Sequence, residues 1–229
     1  MSGCVGSGTN AGAEQPSRPS AMERAGFEQV DELDGIIVYS HGRSQLLHFV
    51  AEARFDAPPR AVQLALLDYE RHPEHIHRLA SSRVLRRGPG SLVVYQRLDM
   101  PVIDDRDYTL AVTWGQRGGI LWLSFQALPF GPPRVDGVVR VRSHSGGWRL
   151  EPVEGGTATR ARYETRMDLG GWIPLWMARG SAGKEVAQVL QQFRQMVAAR
   201  RATERSTNAE RSGSASPPTV AGPRPAGSR

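Results

Sequence analysis

The sequence predicts an α+β protein in which one antiparallel sheet is covered on one face by a long C-terminal helix. Two observations support this fold class. Short alternating apolar and polar segments recur between residues 83 and 168, separated by glycine and proline pairs, and such spacing is typical of an antiparallel meander. A final segment from Pro174 to about Arg201 then carries apolar residues at helical spacing.

The two ends of the chain differ in composition from its middle. Residues 1–26 are rich in glycine, serine, alanine and proline and show no apolar period, and residues 202–229 have a similar composition with dispersed arginines. Such segments bury too little apolar surface to fold. We therefore expect a disordered leader over 1–26, one folded domain over 27–201 and a disordered basic tail over 202–229.

The domain is predicted to begin with a β-hairpin and a short helix. Apolar residues 36–39 follow Gly35, a polar break follows them, and apolar residues alternate from Leu46 to Phe55. Pro58 and Pro59 suit the first turn of a helix, which ends before Pro73.

Seven further strands follow, with turns rich in glycine and proline between them. Their predicted ranges are 83–86, 92–98, 108–114, 120–128, 138–143, 148–152 and 158–168.

Alternation in the last strand indicates which face of the sheet is covered. Arginine or glutamate occupies positions 160, 162, 164 and 166, whereas Thr159, Ala161, Tyr163, Thr165 and Met167 lie on the opposite face. The covering element is predicted to be the last helix, whose apolar stripe comprises Val186, Val189, Leu190, Phe193, Met196 and Val197.

This order of elements resembles the START lipid-transfer domain, and three short segments carry the resemblance: 34–39, 106–108 and 170–174. The resemblance covers residues 27–201. It implies a helix-grip fold, in which a curved antiparallel sheet wraps around a long C-terminal helix and encloses an apolar cavity. START-like folds also include aromatic cyclases and hydrolases.

The resemblance implies that the ligand lies between the concave sheet face and the last helix. The residues expected to bind it are Leu110, Val112, Phe125, Tyr163, Trp176, Met177 and Phe193. Ordinary core packing is the alternative for each apolar member. Tyr95 is a second possible hydroxyl contact. The pair Trp172 and Trp176 suits either a helix anchor or else a cavity gate or membrane-touching lip.

The sequence departs from one family feature at Val112. Some sterol- and phospholipid-binding members are similar to one another in placing an arginine six residues after the arginine that corresponds to Arg106. Valine at this position argues against a buried charged head-group site, because a buried arginine needs an anionic partner. A more apolar ligand is expected.

Two polar clusters could form a catalytic or metal site, but a structural or solvated role is expected for both. The charged run from Asp104 to Asp107 is predicted to be an exposed loop and strand start, with Arg106 or Asp107 bonding across the loop. His72, His75 and His77 match no metal-site spacing, and a hydrated loop near the cavity mouth is expected. No catalytic residue, metal or cofactor is therefore predicted.

The function expected from these observations is the binding of a lipid or other apolar small molecule, as a carrier or sensor. A cyclase- or hydrolase-like enzyme acting in the same cavity is the alternative, and it requires a buried histidine or carboxylate among the cavity positions. A third possibility is that the basic tail docks on an anionic membrane or nucleic acid while the domain senses a ligand.

The distribution of charge and the single cysteine limit which partners and which cellular location are expected. The net charge is +6, but +4 of it lies in residues 200–229, so a specific nucleic-acid partner is not expected. We expect a cytoplasmic monomer with transient membrane contact at most. Cys4 follows Ser2 and Gly3 as in a bacterial lipoprotein cleavage site, so a tethered lipoprotein is the alternative if the true start lies upstream.

Overall fold

The computed structural model describes residues 21–42, 46–171 and 182–213. Within them, ten strands form one sheet in the order β1-β2-β3-β10-β9-β7-β6-β5-β4, with β8 beside β6. The strands are β1 (Glu28–Leu33), β2 (Ile36–Ser40), β3 (Leu46–Phe55), β4 (Leu79–Gly88), β5 (Ser91–Leu98), β6 (Asp105–Arg117), β7 (Ile120–Ala127), β8 (Val138–Arg140), β9 (Ser143–Val153) and β10 (Ala158–Asp168).

Three α-helices accompany the sheet in the described residues: α1 (Ala21–Arg24), α2 (Pro59–Leu66) and α3 (Ala182–Gly213). Two short 3-10 helices span Tyr69–Glu74 and Glu154–Gly156. The predicted fold class, an antiparallel sheet with a long C-terminal helix in the helix-grip arrangement, is confirmed. No helix among these residues is long and apolar enough to cross a membrane.

The structure differs from the sequence-based boundaries at both ends of the domain. Helix α1 precedes residue 27, and β1 was not predicted because its residues are polar and mostly exposed, so they show no apolar alternation. Helix α3 continues to Gly213, beyond the predicted end near Arg201. Its last turns are polar, and Arg200 pairs with Glu204 one turn later (3.2 Å), a spacing that stabilises a helix without tertiary packing.

Strand β8 corrects the prediction of a purely antiparallel meander. It pairs in parallel with the first residues of β6, Asp105 to Asp107, whereas β7 pairs with β6 only from Leu110 onward. The long connection over 128–137 brings the chain back to the part of β6 that β7 leaves unpaired.

The covered face of the sheet is the one that strand alternation predicts. On β10, Thr159, Ala161 and Thr165 are buried, while Arg160 and Arg166 are exposed. Leu190 and Phe193 of α3 pack onto this face together with Trp148 and Leu150. Full burial of a leucine side chain stabilises a fold by roughly 1.5–3 kcal/mol, so this stripe fixes α3 against the sheet.

Two adjacent glycines let β9 approach its neighbours closely. A Cβ at Gly146 would meet the Glu164 carbonyl of β10 and would lie 2.7 Å from the Phe125 ring of β7. A Cβ at Gly147 would meet the Leu123 carbonyl. Only glycine fits such contacts, so these two residues allow β7 and β10 to lie close to β9.

Asp104 is exposed as expected, but Arg106 and Asp107 are buried in β6, which corrects the expectation of an exposed loop and strand start for these two residues. Arg106 is fully buried and Asp107 is 1% exposed. Arg106 donates to the carbonyls of Leu169 (3.4 Å), Gly170 (3.1 Å) and Asp104. It thereby joins the start of β6 to the segment after β10. This agrees with the predicted structural role of Arg106, which was to bond across the loop.

Asp107 points to the opposite face of β6 and forms a second buried polar cluster. It accepts two hydrogen bonds from Arg140 of β8 (3.0 and 2.7 Å) and one from the Tyr95 hydroxyl (3.2 Å). Arg140 also donates to the Pro132 carbonyl (3.0 Å). These bonds hold β8 and the preceding connection against the sheet.

We expect Arg106→Met to lower the free energy of unfolding by about 2–4 kcal/mol, because several buried carbonyls lose their donor and each unpaired buried group costs about 1–3 kcal/mol. Urea denaturation measures this change. The matched control is Arg160→Met on the exposed face, for which a change within about 0.5 kcal/mol is expected. Equal effects of the two substitutions would contradict an anchoring role for Arg106.

Candidate ligand cavity

A large cavity lies between the covered face of the sheet and α3. Its volume is about 1210 Å³, above the range of about 300–1,000 Å³ that is common for small-molecule sites. Exposed residues such as His41, Gly42 and His77 contribute to the wall, so the cavity reaches the surface. Its apolar wall includes Leu46, Leu47, Leu66, Leu98, Met100, Leu110, Phe125, Trp148, Val186, Val189 and Phe193.

The structure brings four of the seven predicted ligand-binding residues together. Leu110, Phe125, Tyr163 and Phe193 all line the cavity. Val112 is fully buried in the adjacent packed cluster, where Leu92 and Phe125 of the neighbouring strands flank it.

The remaining two predicted residues, Trp176 and Met177, lie outside the described residues, as does Trp172. The second hydroxyl candidate, Tyr95, instead bonds to Asp107. Ligand contact by any of these residues stays a prediction.

The cavity also contains buried polar residues that the sequence-based prediction did not include. Tyr69, His72, Tyr108 and His144 line it, and each is less than 9% exposed. Alternation along the strands could have identified two of them. Tyr108 begins the predicted strand 108–114 and shares a face with Leu110. His144 lies four residues before Trp148 on the same face of β9. The strand containing His144 was predicted to begin only at Trp148, so His144 was missed.

His72 is buried, which corrects its placement in a hydrated loop. Its ring packs edge-on against Phe193 (5.1 Å) and near Tyr69 (4.8 Å), because the 3-10 helix turns it inward under α3. His72 Nε2 donates to the Ala65 carbonyl at 3.2 Å. Burial lowers the pKa of His72 to about 4, against a smaller opposing effect of the Ala65 carbonyl and Asp68, so the ring is neutral at pH 7.

His144 lies at the end of the cavity formed by β6, β9 and β10. Its ring packs edge-on against Tyr108 (4.8 Å) and Phe125 (5.0 Å), and Nε2 lies 3.2 Å from the Thr165 hydroxyl. Nδ1 has no hydrogen-bond partner in the described part of the chain. Burial lowers the pKa of His144 to about 3, so this histidine is also neutral at pH 7.

Three tyrosines surround this end of the cavity. Burial raises the pKa of Tyr69, Tyr108 and Tyr163, and the nearby Tyr163 phenol raises the pKa of both Tyr69 and Tyr108 further. The hydroxyls of Tyr69 and Tyr108 make no hydrogen bond within the described residues. Hydrogen bonding to Thr165 slightly opposes the effect of burial on Tyr163.

Ionisable side chains in the cavity wall form pairs across neighbouring elements. Arg78 pairs with Glu185 of α3 at 3.2 Å, and His48 Nε2 lies 2.9 Å from Glu164. The Arg78–Glu185 pair ties the beginning of β4 to the first turn of α3. Asp168, whose strand partner Ser143 precedes His144, also lines the cavity, and its carboxylate lies 3.9 Å from Arg142.

The histidines at positions 72, 75 and 77 differ in their exposure to solvent. His72 faces the cavity, His75 is half-buried and His77 is exposed. No group of three histidine, cysteine, aspartate or glutamate side chains in the described ranges is arranged to hold a metal ion. His77 instead uses its backbone N–H to bond to Gln192 of α3 at 3.0 Å.

The buried histidines predict a stability that falls as the pH decreases. An unfolded histidine titrates near pH 6.5, whereas the pKa values of His72 and His144 are about 4 and 3 in the folded protein. Below pH 6.5 the unfolded chain thus binds more protons, and each histidine lowers the free energy of unfolding by about 2 kcal/mol at pH 5 relative to pH 7 and above.

The measurement is urea denaturation at pH 7 and pH 5 for the native protein, His144→Phe and the exposed control His77→Gln. We expect His144→Phe to reduce the loss of stability between the two pH values by about 2 kcal/mol, and the control to leave that loss unchanged. An unaltered loss in His144→Phe would show that this histidine accepts a proton in the folded protein.

Comparison with solved structures identifies proteins of the same fold. A StAR-related lipid transfer protein from Xanthomonas axonopodis is 24% identical and aligns over 75% of this chain and 98% of its own, with a TM-score of 0.68. Human STARD10 is 16% identical and aligns over 85% of this chain and 86% of its own, with a TM-score of 0.69. The human StarD13 lipid transfer and protein localization domain is 18% identical and aligns over 79% and 98%, with a TM-score of 0.64.

Comparison with curated protein sequences gave no significant match. The sequence profile of the START domain, however, matches residues 55–203. This range contains α2, the strands β4 to β10 and most of α3, and it includes the majority of the cavity wall. The profile and the fold agree with the resemblance carried by the short sequence segments, and the chain belongs to the START domain family.

Proposed function

We propose that this protein binds a lipid or another apolar small molecule in the cavity between the sheet and α3, as a carrier or sensor. The observation that supports this most directly is the size and lining of the cavity. About 1210 Å³ is enclosed largely by leucine, valine, methionine and aromatic side chains. Transfer of an apolar ligand from water to such walls is favourable by roughly 25 cal/mol per Å² of buried apolar surface.

The position of α3 also favours binding. Val186 and Val189 are half-buried although they lie on the apolar stripe of the helix, and both line the cavity. One helical turn later, Leu190 and Phe193 are buried against the sheet. The helix thus closes the cavity with one part of its stripe while the next part supports the fold.

A cyclase- or hydrolase-like enzyme in the same cavity is the alternative, and buried His72 and His144 are the observations in its favour. A general base acts most efficiently when its pKa lies near the working pH. Burial instead lowers the pKa of these histidines to about 4 and 3. His144 is also oriented by the Thr165 hydroxyl rather than by a carboxylate. These features favour binding over catalysis.

Transient membrane contact is part of the proposal, because two neighbouring loops expose apolar side chains beside the cavity. Val102 is 79% exposed and Phe130 is 59% exposed. The loops meet where the Asp105 N–H donates to the Gly137 carbonyl at 3.1 Å. Met100 and Pro101, next to Val102, line the cavity. An apolar ligand could thus pass between the cavity and a membrane at these loops.

Filling the cavity is expected to prevent ligand binding without unfolding the protein. In Val189→Trp the larger side chain occupies space that the ligand needs, so ligand occupancy should fall at least about tenfold, whereas the cavity accommodates the added volume without overpacking. Native mass spectrometry of the purified protein measures occupancy, and solvent extraction identifies the bound molecule.

The matched control for this prediction is Ala198→Trp, which lies on the same helix at an exposed position. It should retain full occupancy. A bound molecule that is recovered equally from both variants, or a native protein that stays empty after incubation with lipid extract, would contradict binding in the cavity. A recovered molecule that is converted by the protein and not by His144→Phe would favour the enzyme.

Removing the exposed apolar side chains should weaken membrane contact. The double substitution Val102→Asp and Phe130→Asp is expected to reduce liposome binding by roughly tenfold or more, since each apolar side chain loses about 1.5–3 kcal/mol of burial in the bilayer interface. Sedimentation with phosphatidylcholine liposomes measures it. Leu85→Asp on strand β4, where Leu85 is 45% exposed, is the control and should leave binding unchanged, while equal binding by all three proteins would exclude these loops as the contact.

A further inference from the structure

We propose that the cavity has a defined polar end, formed by Tyr69, Tyr108, Tyr163 and His144, which binds an uncharged hydroxyl or carbonyl group of the apolar ligand and discriminates against carboxylates and phosphates. This inference rests on the proposed function, because it assigns the chemical class of the ligand in the same cavity. We call these four residues the polar end.

The polar end contains hydrogen-bonding groups that no other group in the described part of the chain engages. In the described residues, the hydroxyls of Tyr69 and Tyr108 have no hydrogen-bond partner, although the two residues are only 8% and 5% exposed. Nδ1 of His144 also lacks a partner, and that residue is 7% exposed. The two hydroxyls line the cavity, and a buried nitrogen such as His144 Nδ1 that makes no bond within the described residues is unfavourable, so a ligand that supplies these bonds gains affinity here.

Neighbouring side chains hold the groups of the polar end in place. The His144 ring packs edge-on against Tyr108 and Phe125, and its Nε2 is occupied by the Thr165 hydroxyl at 3.2 Å. Tyr163 packs against Trp148 with ring centroids 4.6 Å apart. These contacts reduce the entropy that the protein loses when a ligand binds.

The three phenols lie near one another rather than at separate points of the wall. Besides burial, Tyr163 and Tyr69 both raise the pKa of Tyr108. All three hydroxyls remain protonated at pH 7, and each can either donate or accept a hydrogen bond. Both an alcohol and a ketone can therefore be bound here.

The polar end lacks a countercharge for an anionic ligand group. Among the described residues that line the cavity, Arg78 is the only arginine or lysine, and it pairs with Glu185. Arg106 lies on the same β6 face as Tyr108 but donates to the carbonyls of Leu169 and Gly170. The neutral His144 offers no compensating charge, so burial of a carboxylate or phosphate here would be unfavourable.

The test compares three compounds of equal chain length: 1-dodecanol, dodecanoate and dodecane. Binding to the delipidated native protein is measured by calorimetric titration at pH 7. We expect 1-dodecanol to bind at least about tenfold more tightly than dodecanoate. Tyr108→Phe and Tyr69→Phe should each weaken 1-dodecanol binding by roughly three- to tenfold, the effect of one lost hydrogen bond, and should leave dodecane binding unchanged.

The control variant is Tyr39→Phe, since Tyr39 is equally buried but lies in a separate cluster with Met22 and Val50. It should bind all three compounds like the native protein. Dodecanoate that binds as tightly as 1-dodecanol, or tyrosine variants that bind 1-dodecanol unchanged, would overturn the polar end while dodecane binding still supports an apolar cavity. A native protein that binds none of the three compounds would overturn the proposed function as well.

Discussion

The packing of α3 against the covered face of the sheet is the constraint on which the rest of the structure depends. Leu190, Phe193, Met196 and Val197 are buried where the helix contacts the sheet and α2. Closer to the beginning of the helix, Val186 and Val189 are only half-buried and face open space. The same apolar stripe thus stabilises the fold at one point and encloses the cavity at the next. A close-packed core along the whole helix would leave no room for a ligand.

Buried charges connect the strands to the segments around the cavity. Arg106 and Asp107 are neighbours on β6, yet their side chains point to opposite faces because successive side chains of a strand alternate between the two faces of the sheet. Arg106 holds the carbonyls of Leu169 and Gly170, and Asp107 holds Arg140 of β8. Together they fix the segment after β10 and the strand β8 against the sheet. A family segment that resembles a reactive charged site is, in this protein, a structural support.

The polar end explains how an apolar cavity can distinguish among ligands. Apolar walls favour any molecule that leaves water, so they contribute affinity and little selectivity. Hydroxyls and a histidine nitrogen that have no partner among the described residues favour a ligand with a neutral polar group. In the same part of the chain, the cavity wall has no arginine or lysine besides the paired Arg78, and this disfavours an anion.

The sequence by itself determined the elements of this protein, because alternation and helical spacing record which side of each segment is buried. The strands from β2 to β10, the covered face of β10 and the stripe of α3 all follow from such local patterns, whereas the parallel pairing of β8 with β6 does not. Tertiary structure alone decided the burial of Arg106 and His72, the approach of His144 to Tyr108, and the position of the cavity. These features depend on contacts between residues far apart in the chain: charged or histidine-rich segments appear solvated when read locally, and only the packing of α3 and the curved sheet removes them from water.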